Sequence, residues 1–223
     1  MKKYLLSAII FCTFSIKAYS EDAGKKSYVG IGYQLSNLDY NKNTIQLSNA
    51  SFKYKGEDYF GNNFANVNFF AGYKVFEDKD LDGSVDLEVG YFFKNNVTKN
   101  NNSTGTAWNS SGNPVTTRSE SNLSVVSLDA IFNHNFNEYF KILTIGGVSG
   151  VFYKNNIDFL DHGITRISDQ DKQNGLGFNA GVGSEVKIIK DISARATIKY
   201  TAVSGIDAFN RFITYGVGIK YNF

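Results

Sequence analysis

Apolar and polar residues alternate along most of this chain with a period of two. In the segment 28–36, for example, Ile31 and Tyr33 fall on one parity, whereas Gly32 and Gln34 fall on the other. This period predicts β-strands, because an α-helix would place its apolar residues three and four positions apart. The alternation occurs in eight segments, namely 28–36, 63–76, 85–93, 126–132, 140–153, 175–186, 192–202 and 213–223.

The fifth of these segments breaks the pattern in its middle. Leu143 and Ile145 share one parity, whereas Val148 has the other. A β-bulge at Gly146-Gly147 would restore a single apolar face, because a bulge inserts one extra residue into a strand. The sequence does not by itself establish such a bulge.

The connections between the segments alternate in length. Long polar connections follow the first, third and fifth segments at about 37–62, 94–121 and 154–172, and short ones follow the second, fourth and sixth at 77–83, 134–138 and 189–191. Outer-membrane barrels have long outer loops, short periplasmic turns and an even number of antiparallel strands. The pattern therefore predicts an all-β, eight-stranded transmembrane antiparallel β-barrel. A possible hairpin at 44–54 would raise the count to ten if it entered the membrane.

The second face of the segments distinguishes this barrel from a soluble β-sandwich or a lipocalin-like barrel, which bury their apolar face inward. It carries small and polar residues together with charges of both signs, namely Lys74, Asp86, Glu88, Asp129, Glu185, Arg195, Lys199 and Lys220. Eight strands leave an interior that side chains fill, and buried charges require partners. We therefore expect ion pairs inside the barrel, apolar residues toward lipid, and tyrosines near the strand ends as interfacial girdles.

The first twenty residues predict a secretory signal peptide. A basic start precedes a short apolar stretch, and Ala18 and Ser20 occupy the −3 and −1 positions of a cleavage site. The chain would then consist of a signal peptide at 1–20 and an outer-membrane barrel domain at 21–223. A lipoprotein signal at Cys12 is the alternative, but a bulky residue precedes this cysteine where a small one is required.

Composition narrows the classes of function. The chain holds 23 basic and 21 acidic residues, and its one cysteine lies within the predicted signal peptide. A nearly neutral mature chain without a basic cluster argues against nucleic-acid binding, and it would contain no disulfide. The mean hydropathy of −0.25 fits a barrel, because lipid-facing and lumen-facing residues alternate along each strand.

The last predicted strand carries a family resemblance. The chain ends in Phe223, and four further apolar residues share its parity, namely Tyr215, Val217, Ile219 and Tyr221. This pattern resembles the signal by which bacterial outer-membrane proteins are recognised for insertion. Together with the glycine-punctuated strands at 29–33, 87–91 and 175–183, it resembles the OmpA-type and OmpX-type superfamily of eight-stranded barrels. The resemblance implies two partners, outer-membrane lipid and the barrel assembly machinery. The machinery would bind the last strand through the five residues of shared parity that end in Phe223. The resemblance implies no catalytic motif.

The sharpest local motif lies between the second and third segments. Asp78, Asp80, Asp82 and Gly83 follow the D-x-D-x-D-G pattern of a calcium loop. The twelfth position is Val89 instead of the bidentate Glu, and no helices are predicted around it. An acidic periplasmic turn in which Gly83 supplies a positive φ is the simpler interpretation, and weak calcium binding is the alternative. We therefore assign no metal and no cofactor.

Candidate catalytic groups are few. His134 lies beside a short turn, and His162 lies in the third long connection without a nucleophile motif beside it. The second long connection is polar, which predicts a mobile loop, and holds Trp108 and Pro114. Trp108 is a candidate recognition anchor, although packing at the membrane interface explains it equally well. We therefore expect no enzyme.

These features favour a surface protein whose barrel displays long loops, either as an adhesin or surface antigen that contacts host surface or matrix proteins, or as a support of envelope structure. A narrow, porin-like channel is the alternative, because small residues on the second face could leave a gap. A lipid-modifying enzyme is the third hypothesis.

Overall fold

The computed structural model describes residues 26–41, 46–47, 50–51, 62–78, 82–101, 116–161 and 164–223. Within them lie the strands β1 (Ser27–Tyr40), β2 (Gln46–Leu47), β3 (Ala50–Ser51), β4 (Asn63–Asp78), β5 (Gly83–Asn101), β6 (Thr116–Asn135), β7 (Phe140–Asp161), β8 (Ile164–Ile189), β9 (Ile192–Ser204) and β10 (Phe209–Asn222). Among the described residues, no helix has the length and apolar character needed to cross a membrane. The predicted signal peptide at 1–20 lies outside the described residues and stays a prediction.

Eight of these strands form one closed antiparallel barrel. The order around the ring is β1-β10-β9-β8-β7-β6-β5-β4, and β4 pairs with β1. Tyr33 lies opposite Val217 where the first and last strands close the ring. The strands β2 and β3 pair with each other in a separate sheet. The prediction of eight barrel strands is therefore confirmed, and the ten-strand alternative is wrong because the extra hairpin lies outside the ring.

The predicted apolar face points out of the barrel. On β1, Ile31 and Tyr33 are 49% and 53% exposed, whereas Gln34 and Ser36, which follow them on the other parity, are buried. The same alternation holds on β10, where Val217 is 61% exposed. A ring of apolar side chains around a sheet whose edges are closed is the arrangement that a lipid bilayer requires, because the backbone polar groups are all paired within the sheet.

The strand β7 has no bulge at Gly146-Gly147. Its register with β6 continues without a shift along the whole strand. Leu143 and Ile145 therefore point into the barrel, where they pack with Ile131. The predicted bulge is wrong because the lumen face is locally apolar here, so apolar residues occupy both faces of one regular strand.

The strands from β5 to β8 are longer than predicted. They contain 19, 20, 22 and 26 residues, whereas β1, β9 and β10 contain 14, 13 and 14. Most of the connection predicted at 154–172 is strand, because β7 and β8 remain paired as far as Asp161 and Ile164. The flanks of the connection predicted at 94–121 are also strand. Outside the lipid a strand needs no apolar face, so hydropathy gave no sign of these extensions.

The acidic turn before β5 has its positive φ at Asp82, where φ is 46°. Gly83, the residue predicted to supply it, begins β5 instead. Aspartate enters the left-handed region more readily than most residues, because its short polar side chain can form local hydrogen bonds. Asp80 lies outside the described residues, and so does the side chain of Asp78. Among the residues that the structure describes, no cluster of three acidic, histidine or cysteine side chains could hold a metal ion.

Candidate functional site: the barrel interior and its two ends

An ionic cluster fills the half of the barrel in which the described residues begin and end, at Lys26 and Phe223. Arg195 on β9 donates from Nη1 to Glu88 Oε2 on β5 over 2.5 Å, and from Nη2 to Glu185 Oε2 on β8 over 3.2 Å. Lys220 on β10 donates to Glu185 Oε1 over 2.6 Å. The Tyr28 hydroxyl on β1 donates to Glu88 Oε2 over 3.0 Å. Five strands thus contribute to one buried network in which opposite charges neutralise each other.

Aromatic rings line this cluster and occupy the space that glycines leave free. The guanidinium of Arg195 lies 5.4 Å from the ring centroid of Tyr28 and 5.1 Å from that of Phe70, close enough for cation–π attraction. A Cβ at Gly72 would lie 2.2 Å from the Tyr28 ring, and one at Gly30 would lie 2.0 Å from the Phe70 ring. These lumen-facing glycines therefore accommodate rings and do not leave an open gap.

A second polar network lies nearer the middle of the barrel. Asp129 on β6 accepts from Lys199 Nζ over 3.1 Å and from Asn179 Nδ2 over 2.8 Å. Asn179 in turn accepts from Thr201 and Ser149 over 3.0 and 3.1 Å. Each charge in this network therefore has its partners inside the lumen, as buried polar groups require.

Apart from Asp86, the predicted lumen charges thus form ion pairs. Lys74 lies at the barrel mouth and pairs with Glu77 over 3.1 Å. Asp86 is 4% exposed, and its Oδ1 has no hydrogen-bond partner among the described residues. The burial of most second-face charges confirms the prediction that they point inward. The sequence pattern did not predict that one oxygen of Asp86 would lack a partner.

An apolar cluster fills the other half of the barrel, toward the extended strands. Phe64 and Phe209 are fully buried, and the Phe209 ring packs edge-on against Tyr40 and Tyr153 at centroid distances of 6.1 and 5.2 Å. Phe212 lies 6.2 Å from Phe209. The sequence analysis missed this cluster. Phe64 and Phe212 share the parity of the polar face, whereas Phe209 has the parity of the lipid-facing Ile213 and points inward because the register between β1 and β10 shifts between Asp39 and Tyr40. The rings of Tyr40 and Tyr153 lie inside the barrel and not in a lipid-interface girdle.

Three cavities among the described residues differ in size. Two cavities near the polar networks measure about 30 Å³ each, which is enough for a few water molecules at most. A third cavity of about 200 Å³ lies at the mouth that carries both chain ends. Six lysines line it, namely Lys26, Lys74, Lys141, Lys187, Lys190 and Lys220.

The structure does not assemble the predicted candidate residues into a catalytic site within the part of the chain that it describes. His134 is an exposed residue near the end of β6, where it lies opposite Gly83, so it belongs to a strand and not to the following turn. His162, Trp108 and Pro114 lie outside the described residues. Phe223 stacks on Tyr221 at 6.2 Å, and its backbone N–H donates to Ser27 O over 2.9 Å.

Comparisons with known proteins agree with this architecture. No protein-family model matches the sequence, and no curated protein matches it. A major outer membrane protein of Thermus thermophilus is similar in structure with a TM-score of 0.51 at 12% identity, over 87% of this chain and 99% of that one.

Two further solved structures are similar at lower scores. The attachment invasion locus protein Ail of Yersinia pestis has a TM-score of 0.49 at 14% identity, over 89% of this chain and 99% of that one. Neisserial surface protein A has a TM-score of 0.46 at 11% identity, over 88% of this chain and 97% of that one. The closed strand order and the similarity to the Thermus protein support the assignment of the fold. The chain has the fold of an outer-membrane β-barrel, which confirms its resemblance to the OmpA-type and OmpX-type barrels at the level of the fold.

Proposed function

We propose that this protein is a non-enzymatic surface protein of the bacterial outer membrane that presents a rigid sheet to proteins outside the cell. The observation that carries the proposal is the extension of β5, β6, β7 and β8 beyond the other strands. We call the extended parts the outer wall and define it as 94–101, 116–122, 154–161 and 164–172. At about 3.3 Å per residue, a ten-residue extension spans roughly 30 Å along the strand.

Side-chain hydrogen bonds hold the outer wall together. On the side that faces the barrel axis, Ser121 Oγ donates to Asn155 Oδ1 over 3.0 Å, and the Tyr153 hydroxyl donates to Ser121 over 3.4 Å. On the outer side, Gln170 Nε2 donates to Asn156 Oδ1 over 2.8 Å. A sheet that is ordered in advance loses less conformational entropy on binding than a flexible loop does. The outer wall therefore supports display better than the mobile loops that the sequence predicts.

The proposal places the chain in the membrane in one orientation. Both described chain ends and the short turns 136–139 and 190–191 lie at one end of the barrel, which in outer-membrane barrels faces the periplasm. The outer wall then faces the outside of the cell. Export by the segment 1–20 and insertion through the last strand, with Phe223 at its end, belong to the same proposal.

Whole-cell binding tests this function. Cells that display the wild-type barrel are compared with cells whose β7–β8 hairpin is trimmed by joining Lys154 to Lys172, which lie opposite each other, through a two-residue Asn-Gly turn. Both are screened against host matrix and serum proteins. We expect at least one of these proteins to bind the wild type and to lose most of its binding to the trimmed barrel.

Folding of the trimmed barrel is checked by its heat-modifiable migration on a gel, in which folded and boiled chains run differently. Equal binding of every tested protein by both folded forms would overturn the proposal that the outer wall is the binding surface. An altered lipid A profile in a deletion strain would overturn the non-enzymatic part of the proposal.

A further inference from the structure

The basic cavity at the periplasmic mouth is a feature that a display function does not use. We propose that this cavity binds a phosphate group, carried either by a soluble periplasmic phosphate or by the headgroup of an inner-leaflet lipid. The proposal is independent of the outer wall, which lies at the opposite end of the barrel.

Among the described residues, the charges that line the cavity do not balance. Two of its lysines already have partners, because Lys220 binds Glu185 and Lys74 binds Glu77. The other four, Lys26, Lys141, Lys187 and Lys190, form no ion pair within the described part of the chain. Against them stand only Asp86 and Glu138 among the described lining residues, since Glu185 is held by Arg195 and Lys220. The excess of ammonium groups around one small volume is self-repelling, and a bound multivalent anion relieves it.

The backbone fixes the places from which these lysines reach the cavity. Lys26 precedes β1, and its carbonyl accepts from Lys74 N over 2.7 Å. Lys187 near the end of β8 donates its N–H to Tyr139 O over 2.8 Å. Lys141 lies on β7, and Lys190 lies in the turn between β8 and β9. The four ammonium groups therefore come from three parts of the chain, namely the residue before β1, strand β7, and the end of β8 with its following turn, which the closed barrel holds around one mouth.

The neutral groups of the cavity suit the same ligand. The hydroxyl of Ser193, which is 4% exposed, and the side-chain amide of Asn222 line it beside the lysines. Ammonium, hydroxyl and amide groups are hydrogen-bond donors, and a tetrahedral oxyanion offers an acceptor toward each of them. A volume of about 200 Å³ accommodates a phosphate group.

Titration calorimetry of inorganic phosphate into the refolded barrel, held in micelles of a maltoside detergent that contains no phosphate, tests the proposal. The test variant is Lys141→Gln with Lys190→Gln. The matched control is Lys154→Gln with Lys172→Gln, which removes the same charge from the outer wall. We expect at least about tenfold weaker phosphate binding by the test variant, equivalent to about 1.4 kcal/mol, and unchanged binding by the control.

Removing the acidic group of the cavity should act in the opposite direction. Asp86→Asn deletes a negative charge from the wall, so phosphate should bind several-fold more tightly, which a loss of folding would not produce. Repeating the titration in phosphatidylglycerol nanodiscs separates the two sources of phosphate. Loss of binding there identifies a lipid headgroup as the occupant, and retained binding identifies a soluble phosphate. The proposal is overturned if wild type binds no phosphate, if the cavity variant binds as tightly as the control, or if citrate binds as tightly as phosphate.

Discussion

At the scale of single residues, Arg195 is a buried side chain that binds two carboxylates. Its guanidinium contacts both Glu88 and Glu185, and its removal leaves two buried carboxylates with fewer donors. Breaking a buried ion pair from one side costs about 3–5 kcal/mol, because the remaining charge stays desolvated. We therefore expect Arg195→Gln to lower the urea midpoint of the refolded barrel strongly. The fraction folded is measured by heat-modifiable gel migration.

An exposed ion pair provides the control for this substitution. Arg211 Nη2 lies 2.5 Å from Asp39 Oδ2, and both side chains are 55% exposed. Water and salt screen such a pair, so Arg211→Gln should leave the urea midpoint unchanged. Equal shifts for the two arginine variants would mean that the buried network does not stabilise the barrel.

At the scale of the strand, the regular register of β7 leads to opposite expectations for two adjacent glycines. A Cβ at Gly147 would lie 2.3 Å from both Asp129 Oδ1 and the carbonyl oxygen of Leu128, whereas a Cβ at Gly146 would meet no described atom within 4 Å. Gly147→Ala should therefore destabilise the barrel by roughly 1–3 kcal/mol through overpacking. Gly146→Ala should have little effect. A bulge at this position would make the two variants alike in the same urea assay.

The same strand shows which parts of the fold the sequence could predict. Alternation identified the barrel strands because a lipid-facing side is apolar wherever the strand crosses the bilayer. It failed at Leu143 and Ile145, because hydropathy does not reveal which side of a barrel an apolar residue faces. It also failed in the outer wall, where neither face meets lipid. The sequence could not distinguish Asp82 from Gly83 as the residue with positive φ, because both residue types tolerate that conformation.

The last strand carries the prediction most specific to outer-membrane proteins. Phe223 stacks on Tyr221 on the lipid-facing side of β10, and Asn222 between them points to the mouth and donates to the carbonyl of Asp191 over 3.2 Å. If the apolar parity set presents the strand to the assembly machinery, Phe223→Ala should sharply lower the amount of folded barrel in the outer membrane. Asn222→Ala loses one hydrogen bond and should leave near-normal amounts. Equal folded amounts would show that the terminal ring is incidental to assembly.

At the scale of the whole molecule, two kinds of packing follow each other along the barrel axis. The charged cluster around Arg195 occupies the half with the short turns 136–139 and 190–191, and the aromatic cluster around Phe209 occupies the half toward the outer wall. The sequence predicted the first, since charges of both signs shared one parity. It did not predict the second, because Phe209 lies outside the predicted strand 213–223 and points inward through a register shift that hydropathy does not reveal. The partner of the outer wall could not be predicted for a similar reason, since polar strands outside the membrane carry no chemical motif.

This stacking of two layers bears directly on whether the barrel conducts ions. An ion that crossed the lumen would have to pass both the apolar layer and the ion-paired layer. We therefore expect no steady single-channel current from the wild-type barrel in a planar bilayer. The double variant Phe209→Ala with Phe212→Ala opens space only in the outer layer, so it should also remain closed, because the network of Arg195, Glu88 and Glu185 still blocks the path. Steady open currents from the wild type would support the channel hypothesis. Currents from the double variant alone would show that the aromatic layer is the sole barrier.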